Sequence, residues 1–232
     1  MANMIEIDIF QIRIIFALVM LTSATMIDIK KREISDILWI IFGALSILLL
    51  LFEQDIIQAA FGVGFALIVA PIVLILWKFG LFGGADALGI IVLASLAPMA
   101  TFSDSQISPF SIIVNSAILS VSPMIVNFIR NSIRIMRKEN IFQDFDEPSS
   151  KKVFAMFIGY KSKNPKFSFS LETQIGKVKK LNIAIHHADK AEYCSTPNTW
   201  VTPGLPYMIF ILGGFLLQLF FGDIILRFIG VT

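Results

Sequence analysis

The chain has 232 residues, of which 56% are hydrophobic and only 16% charged, whereas a soluble domain is nearer half apolar and a quarter charged. A net charge of +2 is too small to argue for nucleic acid as a partner, and a single cysteine, Cys194, excludes both an internal disulfide and a cysteine-cluster zinc site. The apolar excess is gathered into runs long enough to cross a hydrocarbon core, which takes about 20 residues of helix, so the pattern predicts an integral membrane protein built of helices rather than a barrel.

Six spans are expected, at residues 10–27, 37–52, 56–79, 84–102, 107–129 and 205–228. The first is not a cleavable signal peptide: its leading end is acidic (Glu6, Asp8) and its trailing end basic (Lys30, Lys31, Arg32), the reverse of the usual polarity. Arg13 near its outer end is expected to snorkel to the interface or to pair with Asp8. The second span is short, and either begins within residues 34–36 or sits in thinned bilayer. Pro71, Pro98 and Pro123 read as kinks, Gly62 and Gly64 with Ala66 as positions of close helix packing, and Asn115 and Asn127 as interhelical hydrogen bonders.

Basic residues set the orientation. Lys30, Lys31 and Arg32 follow the first span, Lys78 the third, and Arg130, Arg134, Arg137 and Lys138 the fifth; the opposite loops carry Glu53, Asp55 and Asp104 without Lys or Arg. The termini are therefore expected outside, and the ends of spans one, three and five in the cytoplasm. Residues 130–203 are the one stretch that reads as a soluble domain. Within it residues 152–160 are apolar enough for a strand, Phe167 to Leu171 alternates at period two as a half-buried strand does, and residues 182–186 offer another. Residues 144–150 read as its flexible entry. The expected fold is thus an all-α membrane protein with a small sheet-containing cytoplasmic domain between helices five and six. Its parts are residues 1–129 with helices one to five, 130–203 as the soluble domain and 204–232 with helix six.

Two aspartates lie at the cytoplasmic ends of spans, where an ionisable side chain marks a functional-site hypothesis. Asp28 closes the first run in Asp28-Ile29-Lys30-Lys31-Arg32-Glu33-Ile34-Ser35-Asp36, and Asp86 opens the fourth after Gly83-Gly84-Ala85. Each has a bland reading beside the functional one. Asp86 in a first helical turn is also a helix cap, and Asp28 beside three cations is also an interfacial carboxylate paired with Lys31 or Arg32. Two carboxylic acids near one bilayer face also suit a pair that shares a proton and activates water; which acid holds the proton is left open. Adjacent His186 and His187 make a poor metal pair, since neighbours on a strand point to opposite faces. Asp223 falls near the outer end of the sixth span, on the wrong face for a pair with Asp28 and Asp86, and Asp104 in a loop.

Taken together these flanks resemble the GxGD family of membrane aspartyl proteases, and within it the prepilin peptidases, especially the archaeal preflagellin peptidases. Asp28 followed by basic residues, Ile34 and a polar residue is similar to the surroundings of the family's first aspartate. Gly83-Gly84-Ala85-Asp86 is similar to the Gly-x-Gly-Asp of its second, with Ala85 where the family has glycine. Trp200-Val201-Thr202-Pro203-Gly204-Leu205-Pro206 resembles the proline-bearing entry to its last helix. The four-cysteine domain of the bacterial prepilin peptidases is missing, which favours the archaeal, peptidase-only type.

The resemblance implies an aspartic endopeptidase that removes short N-terminal leaders from preflagellin or pilin-like precursors at the cytoplasmic membrane face, with the bilayer as its setting. It implies Asp28 and Asp86 as catalytic residues, Gly83, Gly84 and Ala85 as motif and backbone support, and no cofactor or metal. Glu33 and Asp36 are candidate contacts for a basic leader. Three alternatives stay open: a presenilin-like intramembrane protease, a transporter or channel subunit with the same aspartates in an ion path, and a non-catalytic membrane scaffold.

Overall fold

The computed structural model describes residues 8–98, 110–175, 178–183 and 191–230. Its helices are α1 (Ile9–Lys31), α2 (Asp36–Leu50), α3 (Ile56–Ala66), α4 (Val69–Lys78), α5 (Gly84–Leu96), α6 (Ser111–Ser120), α7 (Ser122–Met136), α8 (Ser149–Ile158), α9 (Tyr207–Phe221) and α10 (Ile224–Ile229). The strands are β1 (Tyr160–Ser162), β2 (Ser168–Ser170), β3 (Glu172–Ile175), β4 (Val178–Leu181) and β5 (Thr199–Pro203). The chain divides into two compact units, Met1–Leu119 with Pro206–Thr232, and Ser120–Leu205.

In the first unit α5 packs against α1, α2, α3, α4 and α9. Its buried residues Ala87, Gly89, Ile90, Val92, Leu93, Ala94 and Leu96 cover well over half of its circumference, leaving Leu88 exposed, as a helix packed by neighbours on most sides requires. α1 presents a stripe of Ile14, Ala17, Leu21 and Ala24 at helical spacing, and α9 one of Met208, Ile211, Phe215 and Leu219. The outward faces are apolar too: Ile15 and Val19 on α1, Ile40, Ile41, Ile47 and Leu48 on α2, and Phe61 and Phe65 on α3 are exposed. An apolar surface of this extent belongs against a membrane. Hydrocarbon outside removes the hydrophobic drive between helices, so close packing and hydrogen bonds must hold them. Ser46 and Ser95 share a 3.0 Å bond, and Asn115 Nδ2 donates to the Gly222 carbonyl at 3.1 Å.

Three helical stretches are long and apolar enough to cross a membrane: Ile9–Lys31, Ile56–Lys78 and Ser111–Met136. The second and third are each interrupted once. Pro71 and Pro123 lack the N–H that would bond one turn back, and the breaks fall at Leu67–Ile68 and Val121. Asp36–Leu50, Gly84–Leu96 and Tyr207–Phe221 are apolar but shorter. Pro98 ends α5 rather than kinking it; Ala97 before it is already non-helical (φ −135°, ψ 66°). The remainder of the expected fourth span, like the start of the fifth, lies outside the described residues. So do Glu6, Asp104, His186 and His187. The expected sixth span is likewise divided, because Gly222 takes φ 68°, and a second short helix follows.

Arg13 corrects a further expectation. It is buried, and its Nε donates to Glu53 Oε1 at 2.8 Å and its Nη1 to the Leu96 carbonyl at 3.0 Å, so its partner is not Asp8. A guanidinium this far from solvent needs a carboxylate, and the α2–α3 turn supplies one. Gly62 and Gly64 were expected at close contacts, yet a Cβ on either would meet nothing within 4 Å; Ala66 alone of the three is buried. The close approach lies at Gly214, whose Cβ would strike the Ser116 hydroxyl and come within 3.0 Å of the Ile112 carbonyl.

In the second unit β5 pairs antiparallel with both β1 and β2, and β3 pairs with β4 as a hairpin. Trp200 on β5 is fully buried, donates Nε1–H to the Ile141 carbonyl at 2.8 Å and stacks on Phe142 at 4.7 Å. Glu172 accepts from the Trp200 amide at 2.7 Å and from Lys179 Nζ at 2.8 Å, joining hairpin to sheet. β2 falls within the expected Phe167–Leu171 strand, but the alternation does not set its burial: Ser168 is buried while Phe167 and Phe169 are only partly so, and Phe167 lies outside the strand with φ 49°. Residues 152–160, expected as a strand, are instead mostly the helix α8: Pro148 precedes its first turn, and Ala155 and Met156 are its buried residues. Apolar runs this short do not distinguish strand from helix. Asn182 and Ile183 lie just beyond β4, outside any strand, and residues 184–186 are outside the described set. Asn127 and Asn131 on α7 both reach α8, at the carbonyls of Phe157 and of Met156 and Gly159.

Candidate active site

Asp28 sits in the last turn of α1, which stops because Arg32 adopts a left-handed conformation (φ 60°) with its N–H on the Asp28 carbonyl at 3.0 Å. The connection to α2 is tight. Ile34 is buried, and the Ser35 hydroxyl accepts the Ile37 N–H as an N-cap at 3.4 Å. Glu33 and Asp36 are exposed on this connection. The half-buried Asp28 carboxylate does not point only to the basic flank: its Oδ2 accepts the Met208 backbone N–H at 3.3 Å. Met208 is in the first turn of α9. A helix leaves its first N–H groups without internal partners, and Pro206, the N-cap of α9, offers no side-chain acceptor. Asp28 supplies one from another helix.

Asp86 lies in the first turn of α5, and its Oδ2 accepts the Gly83 N–H at 3.1 Å. This is the reach-back half of a capping box. Gly83 is extended (φ −73°, ψ 156°), and neither it nor Gly84 has a positive φ. These glycines therefore serve space rather than handedness. A Cβ on Gly83 would lie 3.0 Å from Asp86 Oδ2, and one on Gly84 would lie 3.4 Å from the Trp77 indole nitrogen. Ala85 is consistent with this, since no backbone position in the motif needs glycine's left-handed freedom.

The helices that carry the two acids both pack on α9. α1 packs on α9 and on α5, and α5 packs on α9. Met208 is fully buried between them: its N–H is on Asp28, while its Cε would be 2.9 Å from a Cβ on Gly89, one helical turn beyond Asp86. Trp39 of α2 closes the same gap, its Cη2 at 3.1 Å from that position. Tyr207 and Phe82 bring their rings to 5.1 Å, tying the start of α9 to the segment before Gly83. Met208, Gly89 and Trp39 carry no sequence motif. The Pro203–Pro206 entry marks where α9 begins, but not what its first N–H groups touch.

A cavity of about 960 Å³, lined among others by Asp8, Arg13, Glu53, Asp55 and Gln58, lies at the other end of α1. Arg13 and Asp28 are fifteen residues apart on one helix, roughly 22 Å at 1.5 Å per residue, so this cavity is separate from the aspartates.

Residues 15–125 match the model of the Type IV leader peptidase family, and residues 140–224 match that of the Archaeal Peptidase A24 C-terminus Type II. A preflagellin peptidase of Methanocaldococcus jannaschii is 26% identical over 223 residues, covering 86% of this chain and 89% of that protein. The first match contains both aspartates with most of α1 and all of α2 to α6, and the second contains the sheet, α9 and Met208. The chain belongs to the type IV leader peptidase (A24) family and is a membrane peptidase.

Proposed function

We propose that this peptidase removes short N-terminal leader peptides from preflagellin or pilin-like precursors, with Asp28 and Asp86 as its catalytic acid–base pair. The observation that supports the reading most is the hold of Asp28 on the first turn of α9, through the Met208 N–H, together with the packing of the Met208 side chain against Gly89, one turn from Asp86 on α5. The similarity to a preflagellin peptidase supports the substrate class.

In the proposed reaction one aspartate is ionised and the other protonated. The carboxylate takes a proton from water as its oxygen adds to the scissile carbonyl, and the acid donates its proton to the carbonyl oxygen. The resulting diol collapses, the C–N bond breaks, and the amine leaves with a proton returned by the pair. General acid and base assistance of this kind contributes about 10²–10⁴-fold, and no covalent intermediate is required.

The membrane arrangement belongs to the same proposal. Six spans would be α1, α2, α3 with α4, α5, α6 with α7, and α9. Helices of the length of α2, α5 and α9 (15, 13 and 15 residues) reach roughly 20–22 Å, short of a hydrocarbon core of about 30 Å, and so call for local thinning or for flanking residues within the bilayer. Lys30, Lys31, Arg32 and Lys78 at the ends near Asp28 and Asp86, against Glu53 and Asp55 at the others, support an active site facing the cytoplasm with both termini outside. Residues 130–203 would then be a cytoplasmic domain. A precursor presents its basic leader on that side, where exposed Glu33 and Asp36 would meet it. Purified protein incubated with leader-bearing precursors should give a shortened product, and N-terminal sequencing should place the cut between leader and apolar helix. Intact precursors, or cuts within the apolar helix, would overturn the assignment.

A further inference from the structure

Met208 has two attachments on two different helices. Its backbone N–H is held by Asp28 Oδ2 at 3.3 Å, and its side chain fills the space that a Cβ on Gly89 would take, with Cε at 2.9 Å from that position. Gly89 is buried, and one turn separates it from Asp86 on the same rigid helix. Within the direct packing of α1, α5 and α9, α9 thus meets α5 through a methionine lying against a glycine, and meets Asp28 through an N–H bond made by that same methionine. From this geometry we infer that the Met208–Gly89 contact is the joint that sets the separation of Asp28 and Asp86, with Gly89 and Met208 as positioning residues. The inference rests on the reading of the two aspartates as the catalytic pair, but the joint itself can be measured without catalysis.

The steric consequence is specific. Apolar carbons rest about 3.5–4.0 Å apart, so a methyl group on Gly89 must displace the Met208 Cε by roughly 1 Å; that Cε ends a flexible side chain, and the displacement passes to the α9 backbone because the rigid Trp39 ring, 3.1 Å from the same position, occupies the space beside it. Misplacement of reacting groups by about 1 Å costs on the order of 10²-fold in rate. The cost falls on the chemical step, because neither Gly89 nor the buried Met208 side chain lies on the exposed connection proposed to meet the leader. Met208→Ala removes Cε but keeps the backbone N–H that Asp28 holds, so it relieves the clash without removing the other attachment.

The experiment combines kinetics with a distance. Wild type, Gly89→Ala, Met208→Ala and the double variant are assayed with a leader-bearing precursor peptide. In parallel, spin labels are placed on exposed neighbours of the two acids on the same helices, Lys30→Cys and Leu88→Cys, in a Cys194→Ser background, with and without Gly89→Ala. We expect Gly89→Ala to lower kcat by about 10- to 100-fold with KM within about twofold, Met208→Ala to restore most of that loss, and the label separation to change by roughly 1 Å. Unchanged kcat in Gly89→Ala overturns the inference. So does a loss of rate with unchanged label separation, or a loss that Trp39→Phe restores and Met208→Ala does not. Should Gly89→Ala fail to accumulate, the double variant carries the test: it must accumulate with activity within about tenfold of wild type, and its failure to do so overturns the joint. Full activity of Asp28→Asn or Asp86→Asn would instead sink the catalytic-pair reading, and the label distances would still decide the joint.

Discussion

Replacing Asp28 by asparagine keeps the side chain's shape and leaves an oxygen able to accept the Met208 N–H, 3.3 Å away in the native protein. The substitution thus separates the acid's structural task from its proposed chemical one. Losing a helix cap altogether costs about 0.5–2 kcal/mol, and exchanging a charged acceptor for a neutral one costs about 1 kcal/mol. A protein with about 5 kcal/mol of stability that loses 1 kcal/mol is still unfolded only about once in a thousand molecules, so the structural loss lowers activity by less than about 1%. The chemical loss is far larger. An amide cannot take a proton from water or give one to a carbonyl, and removing one general acid or base costs about 10²–10⁴-fold, equivalent to about 2.7–5.5 kcal/mol on the barrier.

The same reasoning holds for Asp86→Asn, whose amide oxygen still accepts the Gly83 N–H at 3.1 Å in the native geometry. Cleavage of a precursor peptide by purified, detergent-solubilised variants is the assay, with thermal unfolding of the same samples as the control. Each Asn variant should lose at least about 100-fold in kcat/KM while its Tm stays within a few degrees of wild type. Asn variants that cut at the native rate would show both carboxylates to be caps and nothing more.

The remaining predictions concern what holds the two units together internally. Glu53→Ala leaves the Arg13 guanidinium buried without its carboxylate and should destabilise the first unit by about 3–5 kcal/mol, whereas Arg13→Met with Glu53→Gln should cost much less; equal losses in detergent unfolding would argue that the pair is solvated. Gly62→Ala, with open space around its Cβ, should be neutral or stabilise α3 by up to about 1 kcal/mol, while Gly214→Ala, facing the backbone of α6, should destabilise, as read by Tm. Glu147 is held below the usual glutamate range by the hydrogen bond from Lys151 at 2.7 Å, with burial opposing and the Leu181 N–H at 2.8 Å assisting. A depressed folded-state value contributes stability above the ordinary glutamate pKa and loses it as pH falls through the folded value. The protection factors of the β4 amides, taken relative to the intrinsic exchange rate at each pH, should therefore fall in acid, and Glu147→Gln should flatten that dependence.

Much of the fold was legible because the relevant physics is local. Apolar run length announced the helices, the basic flanks pointed to the ends carrying Asp28 and Lys78, and Pro71, Pro123 and the Pro203–Pro206 entry marked where helices break or begin. The failures have local causes too. Residues 152–160 are as apolar as a strand, and only the buried pair Ala155 and Met156, against the exposed Val153 and Phe154, shows a helical period. Gly222 is followed directly by Asp223 between two apolar runs, a Gly-Asp pair that run length alone passes over, and the division of the last span there rests on one backbone angle.

The aspartates themselves stood out because charge beside an apolar run is costly, but their polar partners did not. Met208 lies 180 residues from Asp28, and no rule of spacing says which helix end will meet which carboxylate. The glycines make the same point more sharply. Gly62, Gly64 and Gly89 are alike in sequence, each a small residue in an apolar helix; the first two face open space, and only Gly89 has a buried methionine and an indole waiting where its Cβ would be. A small residue becomes informative once its neighbour is known, and at Gly89 that neighbour is the residue whose amide holds Asp28.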